Sequence, residues 1–261
     1  MKTLEWNIFF DLHEVLIDLK KIPKCYDNYL INLFSKYGYS EDKIKSIHKE
    51  AGNRWITQFK KLNSTFNKTN DPDSFMDKKN EIDEEWISIL LKYIPKKERG
   101  RVRKSLVSEI VEYRAMKNNN ISLLFPETLP VLKILKSHNF RLFIASSASS
   151  YHIQGFIDKY ELQGLFDAII GVNTVRAPKK AQSNDYFKRM LKFTGSTPNY
   201  SIFVGDSEEE ALHAQNVDME FIMVDRKNSY SKNDEYAFAI IKNLYEIIPI
   251  IAKITGIPLN L

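Results

Sequence analysis

The sequence predicts an α/β fold in which a doubly wound parallel sheet carries an inserted block of helices. Three observations favour this class. Residues 8–10 form a short, fully apolar run typical of a strand buried on both faces of a parallel sheet. From Pro126 onward helix and strand patterns alternate, which implies right-handed crossovers. The stretch 20–120 shows helical periodicity without strands, so we assign residues 1–19 and 121–261 to a core domain and this stretch to an inserted domain.

The inserted stretch is predicted to form a small helical bundle. Apolar residues recur at three- and four-residue spacing, and they are core positions of the bundle. We predict a helix over 24–37 with Gly38 as its C-cap, a second around 55–62, a loop over 63–74, a third around 86–93 ended by Pro95, and a fourth over 102–113.

The remainder of the chain is predicted to alternate between helix and strand, except for two successive strands near its end. The predicted helices are 128–137, 151–160, 184–193, 211–216 and 244–254, and the predicted strands are 141–145, 168–172, 201–204, 221–224 and 236–241.

The charge of the chain is unevenly distributed. The 38 Lys and Arg against 33 Asp and Glu give a net charge of +5, but residues 20–120 hold 22 basic and 14 acidic residues. This basic segment is expected either to steer a small anionic substrate or to be a solvated lysine-rich surface. Since no aromatic residues interleave a basic strip, we expect no nucleic-acid binding.

Cysteine usage and hydropathy predict a soluble cytoplasmic protein. Cys25 is the single cysteine, so no disulfide can form within the chain, which fits a reducing compartment. No run approaches the ~18 apolar residues of a membrane span, and the start of the chain lacks a signal-peptide pattern. The sequence does not indicate the oligomeric state.

Polar and charged residues follow the predicted strands. Asp11 ends the first strand within Phe10-Asp11-Leu12-His13-Glu14-Val15-Leu16, at the edge of the sheet where α/β proteins bind ligands. Ser146-Ser147 follows the second strand, Pro178-Lys179-Lys180 precedes a helix, and Gly205-Asp206-Ser207 with Glu210 follows a later strand. In this order the motifs resemble those of the haloacid dehalogenase (HAD) superfamily. The resemblance implies a Rossmann-like core with a helical cap, at residues 20–120, that closes over the site and selects substrate.

The resemblance implies roles for these residues in phosphoryl transfer. Asp11 is the implied nucleophile, since a carboxylate can attack phosphorus and form an aspartyl-phosphate. Ser146 is implied to hydrogen-bond the phosphoryl group, with Ser147 beside it, although a serine here can also simply cap a helix. Lys180 is the implied phosphate-binding lysine, and its neighbour Lys179 competes for that role.

A Mg²⁺ cofactor is expected from the acidic residues. Mg²⁺ prefers hard oxygen ligands. The implied ligands are Asp11, the backbone carbonyl of His13, Asp206, and Glu210, which lies one helical turn beyond Asp206 and can bind a metal-bound water.

The first motif departs from the superfamily's phosphatase pattern at two positions. His13 stands where the phosphatases have a second Asp, which acts as acid and base, and Glu14 replaces the usual Gly. An imidazole can perform acid–base catalysis near neutral pH. Alternatively, His13 marks other chemistry, because dehalogenase and phosphonatase members also lack that Asp, or it marks lost hydrolysis in a binding protein. We expect a Mg²⁺-dependent phosphohydrolase acting on a small phosphomonoester, with dehalogenase, phosphonatase-like and catalytically impaired functions as the alternatives.

Overall fold

A computed structural model describes residues 5–66, 71–180, 183–230 and 237–259, which contain a six-stranded, wholly parallel sheet. The strand order is β3-β2-β1-β4-β5-β6, so the strand order reverses around β1, which lies at the centre of the sheet. This arrangement confirms the predicted doubly wound α/β class. The strands are β1 (Asn7–Phe10), β2 (Arg141–Ala145), β3 (Ala168–Ile170), β4 (Ser201–Gly205), β5 (Glu220–Val224) and β6 (Ala239–Ile241).

The first strand forms the middle of the core because both of its faces are apolar. Ile8, Phe9 and Phe10 are fully buried; Ile8 and Phe10 contribute to one hydrophobic cluster and Phe9 to the other. β1 pairs with β2 on one side and β4 on the other. Because the strands are parallel, the residues that follow β1, β2 and β4 emerge at the same edge of the sheet.

In sequence, six α-helices of the described chain lie between β1 and β2, and we call the first five of them the insertion. Their inner faces form a separate cluster that includes Leu30, Phe34 and Ile87. The first helix passes into a short 3₁₀ turn that ends at Gly38, whose φ of +82° suits glycine. The helices are α1 (Ile22–Phe34), α2 (Glu41–Phe66), α3 (Pro72–Leu91), α4 (Arg99–Leu106) and α5 (Ser108–Lys117).

Two predictions in the insertion were wrong. The predicted loop over 63–74 is much shorter, because α2 continues to Phe66, a buried residue that packs edge-on against Phe75, and Asp71 caps the start of α3. Residues 67–70 of this loop lie outside the described residues. The single helix predicted over 102–113 is two helices, since the backbone at Val107 is extended in ψ (129°).

The core helices occupy the predicted positions to within a few residues. They are α6 (Thr128–Ser137), α7 (Ser150–Tyr160), α8 (Val172–Val175), α9 (Asp185–Thr194), α10 (Glu208–Gln215) and α11 (Ile247–Thr255). The short α8 was missed, and β3 ends earlier than predicted because Gly171 begins this helix. Part of the predicted strand 236–241 also lies outside the described residues, at position 236. In the described portions of the chain, no helix is both long and apolar enough to cross a membrane.

The insertion lies against the loops that follow β2 and β3. Phe66 and Phe75 belong to the same buried cluster as Val175 of the core, and Asp73 forms an ion pair with Arg176. Helices α5 and α7 approach so closely at Gly155 that a side chain there would overlap the backbone of α5. The division into a 1–19 plus 121–261 core domain and a 20–120 cap domain stays a prediction.

Candidate active site

Asp11 is the first residue after β1 and is almost completely buried. Its backbone N–H donates to the carbonyl of Val204, which continues the pairing of β1 with β4. Its Oδ1 atom accepts a 2.8 Å hydrogen bond from the N–H of Leu12 and lies 2.8 Å from Nζ of Lys179. No described residue hydrogen-bonds Oδ2, so one carboxylate oxygen is fixed and the other is available to a ligand.

Lys179, and not Lys180, is the lysine that the fold brings to Asp11. Its Nζ lies 2.7 Å from Oε1 of Glu210 and donates a 3.1 Å hydrogen bond to the carbonyl of Ala145, while Lys180 is exposed. Burial opposes the charged form, but the carboxylates of Asp11 and Glu210 outweigh it and raise the pKa of Lys179. The structure thus places Lys179 beside Asp11, whereas the favoured Lys180 lies at the surface, and which of the two binds phosphate stays a prediction.

Asp206 and Glu210 lie beside Asp11, as expected from their positions at the end of β4 and in the first turn of α10. Carboxylate oxygens of the three residues all lie within 4.8 Å of one another. Oε2 of Glu210 accepts a hydrogen bond from the N–H of Asp206. Glycine at position 205 leaves room for this carboxylate, since a Cβ there would overlap its oxygen and approach the ring of Phe221 unless one of them shifted.

The acidic cluster is chemically suited to a divalent cation. Burial, together with the charges of Glu210 and Asp11, raises the pKa of Asp206 to about 7, and burial also raises the pKa of Glu210 although Lys179 opposes that shift. Three crowded carboxylates, of which Asp206 and Glu210 have raised pKa values, form a hard-oxygen donor set of the kind that Mg²⁺ binds. The residues present therefore fit the expected cofactor.

The loop after β2 presents two serines at the same edge of the sheet. Ser146 is fully buried; its hydroxyl accepts a hydrogen bond from the N–H of Ala148, and its carbonyl lies 3.1 Å from the hydroxyl of Tyr186. The hydroxyls of Ser147 and Ser207 are buried and make no hydrogen bond within the described residues. Buried hydroxyls without partners are costly, so both are candidates to bind a ligand.

His13 contacts a second histidine that the sequence did not single out. Its Nε2 lies 3.3 Å from Nε2 of His152 in α7, whose Nδ1 lies 2.9 Å from the hydroxyl of Tyr26 in α1. Burial, reinforced by Lys179 and Lys180, lowers the pKa of His13 to about 4, and burial lowers the pKa of His152 well below its usual value. Both rings are neutral at pH 7, and together they link the insertion to the segment that carries Asp11. Sequence reasoning missed His152 because it lies inside an ordinary amphipathic helix.

The loop 11–18, which we call the nucleophile loop, is held by an arginine that sequence reasoning also missed. Glu14 has a φ of +60°, the left-handed region that favours glycine, and Arg226 donates to the carbonyls of Glu14 and Val15. The guanidinium also pairs with Glu127 at 2.7 Å and stacks on Phe125. The backbone of Glu14 therefore keeps the conformation that a glycine adopts easily, and Arg226 stabilises it.

A parallel sheet that carries a nucleophile candidate, a buried lysine and an acidic triad at one edge defines a hydrolase fold of the haloacid dehalogenase type. The family model for haloacid dehalogenase-like hydrolases matches residues 8–224. The chain belongs to that family.

Curated relatives and solved structures agree with this assignment. The chain is 26% identical over 95 residues to phosphoglycolate phosphatase of Pasteurella multocida (36% of this chain, 42% of the relative), and 30% identical over 134 residues to Enolase-phosphatase E1 of Caenorhabditis elegans (48% and 50%). The matches thus span half or less of these relatives. The structure of 2-haloacid dehalogenase from Pseudomonas syringae shares the fold, with a TM-score of 0.67, 15% identity, and coverage of 96% of this chain and 99% of that one.

Proposed function

We propose that this chain is a Mg²⁺-dependent phosphohydrolase that acts on a small phosphomonoester through an aspartyl-phosphate at Asp11. One observation carries the proposal: Asp11 is buried with one oxygen fixed and the other available, beside Lys179 and two further carboxylates. The matched stretches of phosphoglycolate phosphatase and Enolase-phosphatase E1 support phosphate ester chemistry. The cytoplasmic location remains a prediction.

Asp11, Asp206 and Glu210 would hold the metal ion, with the carbonyl of His13 as a further ligand. When bound, Mg²⁺ would supply positive charge beside the phosphoryl oxygens. Lys179 already neutralises part of the charge of Asp11 and Glu210, so a dianionic phosphoryl group can approach a carboxylate nucleophile. The hydroxyls of Ser146 and Ser147 are assigned to the phosphoryl oxygens, as is the buried hydroxyl of Ser207.

The proposed reaction has two steps, transfer of the phosphoryl group to Asp11 and hydrolysis of the aspartyl-phosphate. Oδ2 of Asp11 attacks phosphorus, the phosphorus–oxygen bond to the alcohol breaks, and the alcohol leaves with a proton. Water then attacks the phosphorus of the aspartyl-phosphate, the new carboxyl–phosphate bond breaks, and Asp11 and inorganic phosphate are released. We assign to the neutral imidazole of His13 the removal of a proton from the attacking water, while the leaving alcohol takes up its proton from solvent water. His13 follows Asp11 by two residues and faces His152 and Tyr26 on the side of the insertion.

One alternative rests on a specific observation. Because an imidazole replaces the second carboxylate of the phosphatase motif, carbon–halogen hydrolysis by the same aspartate also fits the site. That chemistry needs no metal, whereas Asp206 and Glu210 form a cation site with Asp11. Release of chloride from 2-chloropropionate in EDTA, without phosphatase activity, would establish the alternative.

The test is hydrolysis of p-nitrophenyl phosphate by the native chain with Mg²⁺ and with EDTA. Asp11→Asn should reduce turnover by about 10³-fold or more. Asp18→Asn is the matched control, because Asp18 ends the same loop and accepts a hydrogen bond from the N–H of Lys20 that asparagine can also accept. Metal-independent turnover, or equal loss in both variants, would contradict the proposal. A gain of activity only in His13→Asp would show that the native chain has lost phosphate hydrolysis.

A further inference from the structure

The helices of the insertion line a partly open cavity of about 680 Å³, which we call the insertion cavity. Helices α1, α2, α3 and α5 contribute its walls, and Trp55, Ile56, Trp86 and Val111 give much of the lining an apolar and aromatic character. A cavity of this size holds a small organic molecule. It is far larger than the phosphoryl group that the site around Asp11 would bind.

Two residues connect the insertion cavity to the candidate active site. Tyr26 lines the cavity and contacts His152, which in turn contacts His13. Glu112 also lines the cavity and accepts a hydrogen bond from Ser149, the residue that caps α7 in the loop following Ser146. A molecule that fills the cavity would therefore contact Tyr26 and Glu112, which themselves contact His152 and the loop after β2.

The carboxylates of the cavity differ in their partners. Asp27 lies 2.7 Å from Nδ1 of His48, and Asp83 is paired with Lys79 at 2.7 Å. Glu112, by contrast, contacts the hydroxyls of Ser108 and Ser149 and has no ion-pair partner within the described part of the chain. Burial and the neighbouring Asp83 raise the pKa of Glu112 to about 7, although Lys79 opposes the shift. A cationic ligand would stabilise the ionised form of this group.

We propose that the insertion cavity binds the alcohol half of the phosphomonoester substrate, and that this half is an aromatic group bearing an ammonium that pairs with Glu112. Aromatic walls and a carboxylate without an ion-pair partner are the combination that recognises organic cations. The substrate class rests on the proposed phosphohydrolase function, whereas binding of an aromatic amine does not depend on catalysis.

The binding test uses tyramine and 4-ethylphenol, which share a ring and a two-carbon chain and differ in the ammonium group. By titration calorimetry, the native chain should bind tyramine about tenfold more tightly than 4-ethylphenol, and Glu112→Gln should remove this preference. Gly52→Trp should weaken both, because Gly52 lines the cavity and has open space at its Cβ position. Gly100→Trp is the matched control: Gly100 is an exposed helical glycine with equal space, outside the cavity lining, so binding should be unchanged.

The kinetic test compares tyramine O-phosphate with 4-ethylphenyl phosphate. The KM of the amine should be about tenfold lower in the native chain and equal to that of the other ester in Glu112→Gln. Absence of tyramine binding, or a preference that survives in Glu112→Gln, would overturn the proposal. A calorimetric preference without a difference in KM would overturn the substrate assignment. Failure of Mg²⁺-dependent turnover of p-nitrophenyl phosphate would instead refute the proposed function. The calorimetric test of tyramine binding would remain valid, because it does not depend on catalysis.

Discussion

Replacing Lys179 by methionine tests most sharply whether Lys179 or its neighbour Lys180 supports the acidic cluster. Lys179 Nζ is fully buried between Oδ1 of Asp11 and Oε1 of Glu210, at 2.8 and 2.7 Å. Removing one partner of a buried ion pair leaves an uncompensated charge and costs about 3–5 kcal/mol. We expect Lys179→Met to lower the free energy of unfolding by about that amount in EDTA at pH 8, and to lower kcat by about 10²–10³-fold. Lys180→Met, at an exposed position, should stay within about 0.5 kcal/mol of the native chain.

Urea unfolding followed by circular dichroism measures the first quantity, and p-nitrophenyl phosphate turnover measures the second. The stability loss in Lys179→Met should shrink at lower pH, because Asp206 and Glu210 already have raised pKa values and can become neutral by taking up protons. Equal stability of the two methionine variants would refute the reasoning from burial. A larger kcat loss in Lys180→Met would restore the lysine that the sequence favoured.

Three further predictions concern the acidic triad, the glycine beside it and the insertion cavity. Mg²⁺ at about 100 times its Kd should raise the free energy of unfolding by about 2.7 kcal/mol, and Asp206→Asn should reduce this gain, as followed by thermal unfolding. Gly205→Ala should cost about 1–3 kcal/mol in urea unfolding because its Cβ would overlap Glu210, whereas Gly164→Ala, where the space is open, should be near neutral. The pKa of Glu112, about 7 against an ordinary value near 4.5, means that the folded chain holds an extra proton between these values. Native stability therefore falls as pH rises through that window, and Glu112→Gln should gain about 1–3 kcal/mol relative to the native chain between pH 5 and pH 8.

Each of these expectations has a clear contrary result. Equal Mg²⁺ stabilisation in Asp206→Asn would remove that residue from the ligand set. Gly205→Ala unfolding like Gly164→Ala would show that the Glu210 carboxylate can move aside. A constant difference between Glu112→Gln and the native chain across the pH range would show that Glu112 ionises normally.

The sheet could be predicted because its strands are short apolar runs that end abruptly at polar residues. The same logic located Asp11, Ser146 and Asp206, since parallel strands place their carboxyl ends together. It could not choose between Lys179 and Lys180, because adjacent residues of one type differ only in the direction that the folded backbone gives them. Packing of Phe66 against Phe75 likewise extended a helix through residues whose local composition indicated a loop.

Residues that act through distant contacts carried no local signal. His152 lies within an amphipathic helix, and its meeting with His13 depends on how α7 packs beneath the insertion. Arg226 follows β5 at the far side of the sheet from β2, and nothing in its immediate sequence indicates that it binds the nucleophile loop. The left-handed backbone at Glu14 could not be predicted either, because a glycine at this position would indicate a positive φ and a glutamate does not.

The link between Arg226 and the nucleophile loop has a consequence for the order of folding. The loop that follows Asp11 is synthesised before Arg226, because the arginine that binds the carbonyl of Val15 lies 211 positions further along the chain. A partly synthesised chain that ends before Arg226 can contain every residue up to Glu210 and still lack the contact that shapes the turn after Asp11. The hydrogen bonds that stabilise the backbone of Glu14 and Val15 can therefore form only after β5 and Arg226 have been synthesised.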